Sequence, residues 1–480
     1  MLRTPRAARG AGRYGLAVEQ AALEDSAGHA PGRRAPIDEH RLGRSVLRLA
    51  WPLVAERLSL SLLAAVNGVL VGRYVGDDGL AAVGLATLIL WMPETGVIGL
   101  ETGTTTVTSW DFGRGDRERL SATVRSSLTL ALLWGLSMAL LMATIAEPAM
   151  RVMGVEDAVV REGVAYMRPA AIGLIGLSVF AACAGAFRGV GNSRFPMAVM
   201  LGANAVNAAV TWLLISGAIG IELNTAAGGW AFATSGMTAG SVALAAVIRR
   251  RGGLDVPLGQ PWRVSRLAVR RVLQMSVPVG LEELQFQAAF LAYVRIIAAI
   301  GTDATAAHTV ALRTTDIAIV AVFGLGTATT ALVGQAMGAG RPELAERVAH
   351  IAQRYGLGAM VALAICQFLF APQVARLFTN DAEVVDQAVQ ALRVFALGVP
   401  ALGLYATTSG ALRGAGDVRF VLLILTVTAW GVRIPGAFVG AHVLDLGLPG
   451  AWLGAVVEVN TRAGLNVLRF RTGRWKQGEV

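Results

Sequence analysis

Seven acidic side chains stand inside apolar stretches of this sequence: Glu56, Glu94, Glu101, Glu282, Glu283, Asp316 and Glu458. A carboxylate at the centre of a membrane-spanning helix costs about 2.5–3.5 kcal/mol, so each needs a chemical reason to be there. Three uses suit an acid in that setting: exchanging a proton, holding a cation, or neutralising an arginine. Glu56 and Glu282 stand out because each follows a proline, Pro52 or Pro278, by four residues. They are candidates for ion coupling, and the competing role is structural pairing with a buried arginine such as Arg295 or Arg433. Asp316, beside Thr314 and Thr315, is a third coupling candidate within a polar cluster. Arg57 and Glu283 adjoin the first two acids but lie about 100° around a helix from them, which suits a helix-end or paired role. Glu94 and Glu101 are seven apart and share one helix face with the stretch Thr102–Thr106, either as a polar path for a cationic substrate or as the wall of a water-filled cleft. Gln285, Phe286 and Gln287 follow Glu282 and can contact an amphipathic ligand. Tyr293 and Tyr405 can meet a cation through their ring faces, with core packing the alternative for all three aromatics.

Enzyme chemistry finds no such constellation. The sequence holds no Walker motif, no Ser-His-Asp set and no His-Glu-x-x-His. Its five histidines, His29, His40, His308, His350 and His442, are scattered, and Cys183 and Cys366 have no ligand or disulfide spacing. No catalytic residue, metal or cofactor is expected.

The elements that must position these acids follow from composition. Of 480 residues, 54% are hydrophobic and 15% charged, against about 25% charged in a soluble domain. Mean hydropathy is +0.57. Apolar runs near the roughly 20 residues that a span needs predict an all-α polytopic membrane protein of about twelve helices, centred near Leu60, Leu90, Leu133, Leu174, Ala209, Ala239, Leu291, Val320, Val361, Leu397, Leu425 and Val456. The net charge of +10 is almost all arginine, with Lys476 the one lysine. Most of it falls in alternate loops and at both ends, which predicts cytoplasmic termini and removes nucleic acid as a partner. Residues 1–44 are expected to be a disordered basic tail and residues 471–480 a second cytosolic tail.

The chain also repeats itself. Gly185-Ala-Phe-Arg-Gly-Val-Gly-Asn-Ser-Arg-Phe195 matches Gly410-Ala-Leu-Arg-Gly-Ala-Gly-Asp-Val-Arg-Phe420 at seven of eleven positions, an offset of 225. The same offset aligns Gly99–Thr105 with Gly324–Thr330, and Gly76, Asp78, Ala81 and Ala82 with Gly301, Asp303, Ala306 and Ala307. Pro52 and Glu56 match Pro278 and Glu282 at 226. Six spans per repeat, an even number, predict two parallel six-helix lobes related by an axis along the membrane normal: residues 45–250, a cytosolic linker 251–271, and residues 272–470. Gly99/Gly103, Gly236/Gly240 and Gly436/Gly440 are spaced for close helix packing. Two similar lobes around a central cavity suit a transporter working by alternating access.

The stretches Ala306-Ala-His308, Thr329–Arg341, Gly410–Asp417 and Trp430-Gly-Val-Arg-Ile-Pro435 resemble the multidrug and toxic compound extrusion (MATE) family, and more closely its DNA-damage-inducible F-like bacterial branch. The likeness runs from about Leu47 to Leu468. It implies a V-shaped, two-lobe antiporter in the plasma membrane, monomeric, that exports small organic and often cationic compounds against inward protons or sodium ions. Many family members carry an aspartate in the first helix; the corresponding segment here is Val66-Asn67-Gly68. Asn67 exchanges no proton, so coupling rests on other carboxylates, with Asn67 as a neutral oxygen ligand or substrate contact. Protons need one carboxylate and sodium several oxygens, so proton exchange is the simpler expectation. A lipid-linked oligosaccharide or peptidoglycan-precursor flippase of the same superfamily is the alternative, expected to show a strongly cationic cavity where this sequence places its arginines mostly in loops. A membrane-embedded enzyme is the distant one.

Overall fold

The computed structural model describes residues 41–218, 220, 221, 223–249, 254 and 263–477, apart from the side chains of residues 77, 317–319 and 321. Most of the expected N-terminal tail, with His29 and His40, most of the linker, and residues 478–480 lie outside the described residues.

The elements are α1 (Leu42–Tyr74), α2 (Asp77–Arg114), α3 (Arg117–Val152), α4 (Asp157–Gly189), α5 (Arg194–Ile215), α6 (Ala226–Ile248), α7 (Arg266–Ala298), α8 (Thr302–Gly338), α9 (Pro342–Phe378), α10 (Ala382–Ala396), α11 (Val399–Gly414), α12 (Val418–Val443) and α13 (Gly447–Arg471). No strand occurs among the described residues. Eight of these helices are long and apolar enough to cross a membrane, and the pair α10 and α11, bent by 48°, makes a ninth. The others, α7, α8 and α13, run 33, 37 and 25 residues, and at 1.5 Å per residue even α13 exceeds the roughly 30 Å hydrocarbon layer. What keeps α7 and α13 out of the apolar set is the acids and arginines described below.

Three boundaries differ from the sequence expectation. The seventh helix begins after Ser265, whose side chain caps it by accepting from the Ala268 N–H at 3.3 Å. Its middle therefore falls at Glu282 rather than near Leu291, and residues 266–271 are helix instead of linker. The first helix already includes residues 42–44. After α13 the chain turns through a short 3₁₀ segment, Arg474–Gln477, that is docked instead of free: Trp475 is buried and Lys476 Nζ reaches Glu346 Oε2 at 2.7 Å.

Small residues set the packing. Gly236 and Gly240 of α6 lie against Gly173 and Gly176 of α4, and Gly436 and Gly440 of α12 against Gly454 and Gly450 of α13. Gly99 and Gly103 of α2 lie on the backbone of Ser276 and Gly280 in α7, where any Cβ would collide, so these two helices from different halves touch at main-chain distance. Gly324 of α8, the repeat equivalent of Gly99, lies on Ala50 and Val54 of α1, the equivalents of Ser276 and Gly280. The seam between the halves thus has the pseudo-twofold symmetry that a parallel duplication requires.

The apolar core is continuous at one end of the bundle and split at the other. One cluster joins both halves near the loops at residues 115–116, 190–193, 339–341 and 415–417, through Trp110, Phe187, Val333, Met337, Leu412, Phe470 and Trp475. Toward the opposite loops the halves have separate cores, one around Met142, Met167 and Leu174, the other around Ile297, Leu392 and Trp452. The halves are closed together at the arginine-rich end and parted at the other.

Candidate functional site

Each half places an acid from its first helix against an arginine from the last turn of its fourth span. In the first half Arg188 Nη2 donates to both oxygens of Glu56 at 2.8 Å, and Arg188 Nη1 also meets Glu101 Oε1. In the second half Arg413 Nη2 donates to Glu282 Oε1 at 2.7 Å, and the Tyr405 hydroxyl donates to the same oxygen at 2.9 Å. All four members of the two pairs are buried or nearly so. Arg188 and Arg413, and Glu56 and Glu282, are repeat equivalents, so the duplication preserved the pair. The expected partners Arg295 and Arg433 are not the ones found: Arg188 and Arg413 lie one residue inside the helix ends, not in the loops, and point back into the bundle. Glycines with φ of +88° and +90° at Gly191 and Gly416 then turn the chain, a left-handed conformation that glycine adopts without strain.

The halves differ around that shared pair. Glu101 has Gly326 as its repeat equivalent, and Phe180 has Tyr405. In the first half a cavity of about 200 Å³ is lined by Glu56, Glu94, Glu101, Arg57 and Arg188, with Asn204, Asn207 and Ser235 and an apolar wall including Phe180 and Phe232. Phe323 and Thr327 of α8 close it from the other half. Three acids face two arginines, and Glu94 and Glu101 share the cavity as their spacing predicts. Asn67 lies beside this cavity: its Nδ2 donates to Asn207 Oδ1 at 2.9 Å, Asn207 in turn donates to Ser235 Oγ at 3.2 Å, and Asn67 Oδ1 is buried without a partner.

The second half has instead a charged network. Glu458 is fully buried between Arg433 at 2.8 Å and Arg462 at 3.1 Å, and accepts from Thr428 Oγ1 at 3.0 Å. Arg433 lies in a π-helical turn, Ala429–Arg433, just before Pro435; the wider turn tolerates the missing proline N–H and aims the guanidinium at α13. The Arg462 guanidinium stacks on the Tyr405 ring at 4.2 Å, and Arg433 lies near the Phe286 and Tyr293 rings at 5.6 and 5.9 Å. The cations at these two tyrosine rings are the chain's own, Arg462 on Tyr405 and Arg433 near Tyr293, in keeping with the packing alternative for both. Gln285 Oε1 accepts from Thr426 at 2.8 Å, and Gln287 is half-buried. One more expectation fails. Asp316 is exposed on α8, and the hydroxyls of Thr314 and Thr315 donate to the carbonyls of Val310 and Ala311 in their own helix, so no polar cluster forms around it.

Sequence reasoning missed Asp111, fully buried on α2, where it accepts from Thr123 Oγ1 at 2.6 Å and pairs with Arg271 of α7 at 3.0 Å. It also left the roles of Arg462 and Glu458 open, although two opposite charges four apart in one apolar helix are a signal for a buried pair.

Comparison with known proteins bears on these two half-sites. The MatE family model matches residues 52–213 and again residues 278–439, so each match begins at the helix proline and carries one acid of the pair. A probable multidrug resistance protein NorM of Bradyrhizobium diazoefficiens is 30% identical over 431 residues, 88% of this chain and 92% of that protein. Another of that name, from Thermotoga maritima, is 25% identical over 439 residues, 91% of this chain and 94% of its own length. Among solved structures, the outward-facing conformation of a multidrug resistance MATE family transporter of the MOP superfamily superposes with a TM-score of 0.85 at 25% identity, covering 91% of this chain and 97% of that one.

Proposed function

This chain belongs to the MatE family, an integral membrane transporter and not an enzyme, and on that premise we propose that it exports organic cations in exchange for protons. The observation that carries the cation preference is the first-half cavity, whose lining acids outnumber its arginines. An amphipathic cation finds there the carboxylate of Glu94, the second oxygen of Glu101, whose Oε1 meets Arg188, and the rings of Phe180, Phe232 and Phe323.

Proton coupling is assigned to Glu282. Both neighbours of its Oε1, Arg413 and Tyr405, are hydrogen-bond donors, and Oε2 is buried without a partner. Sodium needs a shell of oxygens, and a carboxylate flanked by donors provides a poor one. A proton needs only the open oxygen, and on binding there it cancels the charge that holds Arg413. Asn67, neutral at the place where many relatives carry an acid, leaves Glu56 as the matching acid of the first half, already committed to Arg188. With the arginine-rich loops in the cytoplasm, the parted end faces outward and the termini lie inside.

The test is transport into vesicles of purified protein. A pH gradient should drive accumulation of a cationic dye, with Glu282→Gln inactive while correctly folded. Accumulation driven by sodium alone would reverse the ion assignment, and accumulation under neither gradient would remove the antiport reading. The flippase alternative gains nothing from the buried arginines, because Arg413, Arg433 and Arg462 are paired with Glu282 and Glu458 and present no free cationic surface.

A further inference from the structure

At the closed end of the bundle the two halves exchange the same interaction. Trp110 Nε1 of α2 donates to the Gly414 carbonyl of α11 at 2.7 Å. Gln335 Nε2 of α8 donates to the Gly189 carbonyl of α4 at 2.8 Å. Residue 335 is the repeat equivalent of 110, and 414 of 189, at the offset of 225. An indole and a carboxamide share little sequence resemblance, yet each supplies one N–H to one helix-end carbonyl across the seam. All four residues are buried.

The backbone repeats the exchange. Gly113 lies against the Gln335 main chain and Gly338, its equivalent, against that of Trp110, leaving no room for a Cβ on either. Ser109 touches Gly334, and these two are themselves equivalents, so the pseudo-twofold axis passes between them. The crossing of α2 and α8 is thus the axial contact of the molecule. To one side of it stands a bond without a repeat counterpart, the Asp111–Arg271 pair at 3.0 Å, since the position equivalent to Asp111 is Ala336.

We infer that Trp110 and Gln335 form a paired clasp that holds the arginine-rich end shut, and that both bonds must open for the transporter to expose its cavity on that side. The inference rests on the alternating-access reading. Separation of the halves at this end breaks both donor–carbonyl bonds together, because they straddle one axis, and leaves the two helix-end carbonyls to water. A net hydrogen bond corresponds to roughly a fivefold change in an equilibrium, so loss of one raises the open population about fivefold and loss of both on the order of twenty-five-fold where the effects add.

The experiment reads opening directly. Ser109, fully buried at the axis, is replaced by cysteine in a Cys366→Ser background, and the full-length protein in lipid nanodiscs is labelled with a bulky charged maleimide. Trp110→Phe, which keeps an aromatic ring but has no donor, and Gln335→Met, which keeps the volume, should each raise the labelling rate roughly fivefold. Trp110→Gln is the discriminating variant: it loses more packing than Trp110→Phe yet regains the amide donor that position 335 already uses. It should label more slowly than Trp110→Phe. Unchanged rates in Trp110→Phe and Gln335→Met, or faster labelling of Trp110→Gln than of Trp110→Phe, would overturn the clasp. Gln335→Met alone decides the matter should the Trp110 variants not fold. Labelling needs no ion gradient, so a failed proton assignment leaves this result standing, and a failed clasp leaves that assignment untouched.

Discussion

Replacing Arg413 by methionine separates the structural from the coupling role of its partner. Glu282 is 4% and Arg413 15% exposed at the side chain, so the substitution leaves a buried carboxylate with one remaining donor, Tyr405. Breaking a buried pair by removing one partner costs about 3–5 kcal/mol; the partial exposure of Arg413 places this case near 3. Replacing both ends, Arg413→Met with Glu282→Gln, removes the stranded charge, and such paired replacements are close to neutral. The double variant should therefore regain most of the stability lost by the single one, a recovery of about 2–3 kcal/mol. Thermal unfolding in detergent reads that recovery, and dye accumulation under a pH gradient reads transport in the same preparations. Stability should return while transport stays absent, because no titratable group remains at position 282. A double variant that transports like the parent would reduce Glu282 to a structural partner. A single variant as stable as the parent would refute the energetic reasoning about the pair.

Glu458→Gln strands two buried arginines, Arg433 and Arg462, and should lower stability by about 3–5 kcal/mol, read as a fall in melting temperature and in folded yield, whereas the isosteric Glu94→Gln in the open cavity should change either little. Glu101→Gln keeps Arg188 paired with Glu56 and removes one cavity charge; the apparent affinity for a cationic dye should fall about fivefold, the effect of roughly 1 kcal/mol from a partly exposed charge, while a neutral analogue is unaffected. Lys476 is the one lysine, so an impermeant amine reagent applied with the α-amine blocked should label inside-out vesicles and spare right-side-out ones; the reverse pattern would invert the proposed topology.

Features carried by residue type and spacing were legible in the sequence. The glycine pairs that bring helices together, the shared face of Glu94 and Glu101, and the equivalence of Glu56 and Glu282 needed only helical periodicity and the repeat. What escaped depended on the third dimension. Arg188 and Arg413 sit beside glycine-rich turns, where the sequence allows them to hold helix-end carbonyls or to pair with nearby acids, and only the packing of the fourth span against the first selects Glu56 and Glu282 as those acids. Thr314 and Thr315 looked like partners for Asp316, but a threonine hydroxyl in a helix is readily satisfied by the carbonyl one turn back, which left nothing to gather around the acid. Asp111 gave no signal in the sequence, because one partner, Arg271, is 160 residues away. Trp110 and Gln335 escaped because the duplication kept a donor position rather than a residue.

A duplicated chain supplies its own control: what both halves retain is common to the architecture, and what differs around it has been free to specialise. The acid–arginine pair, the glycine crossings and the two-bonded clasp are retained in both halves. Glu101 and Glu94 belong to the first half alone, the Glu458 network to the second. The first half therefore holds a cavity with three acids to two arginines, while the second holds balanced charges in contact with one another. On the function proposed above, the cationic substrate is assigned to the first half and the exchanging proton to Glu282 of the second, with no common carboxylate. That assignment joins the two events through the seam the halves share, where Phe323 and Thr327 of α8 form part of the first half's cavity wall, and Gln335 of the clasp follows Thr327 on α8 by about two turns.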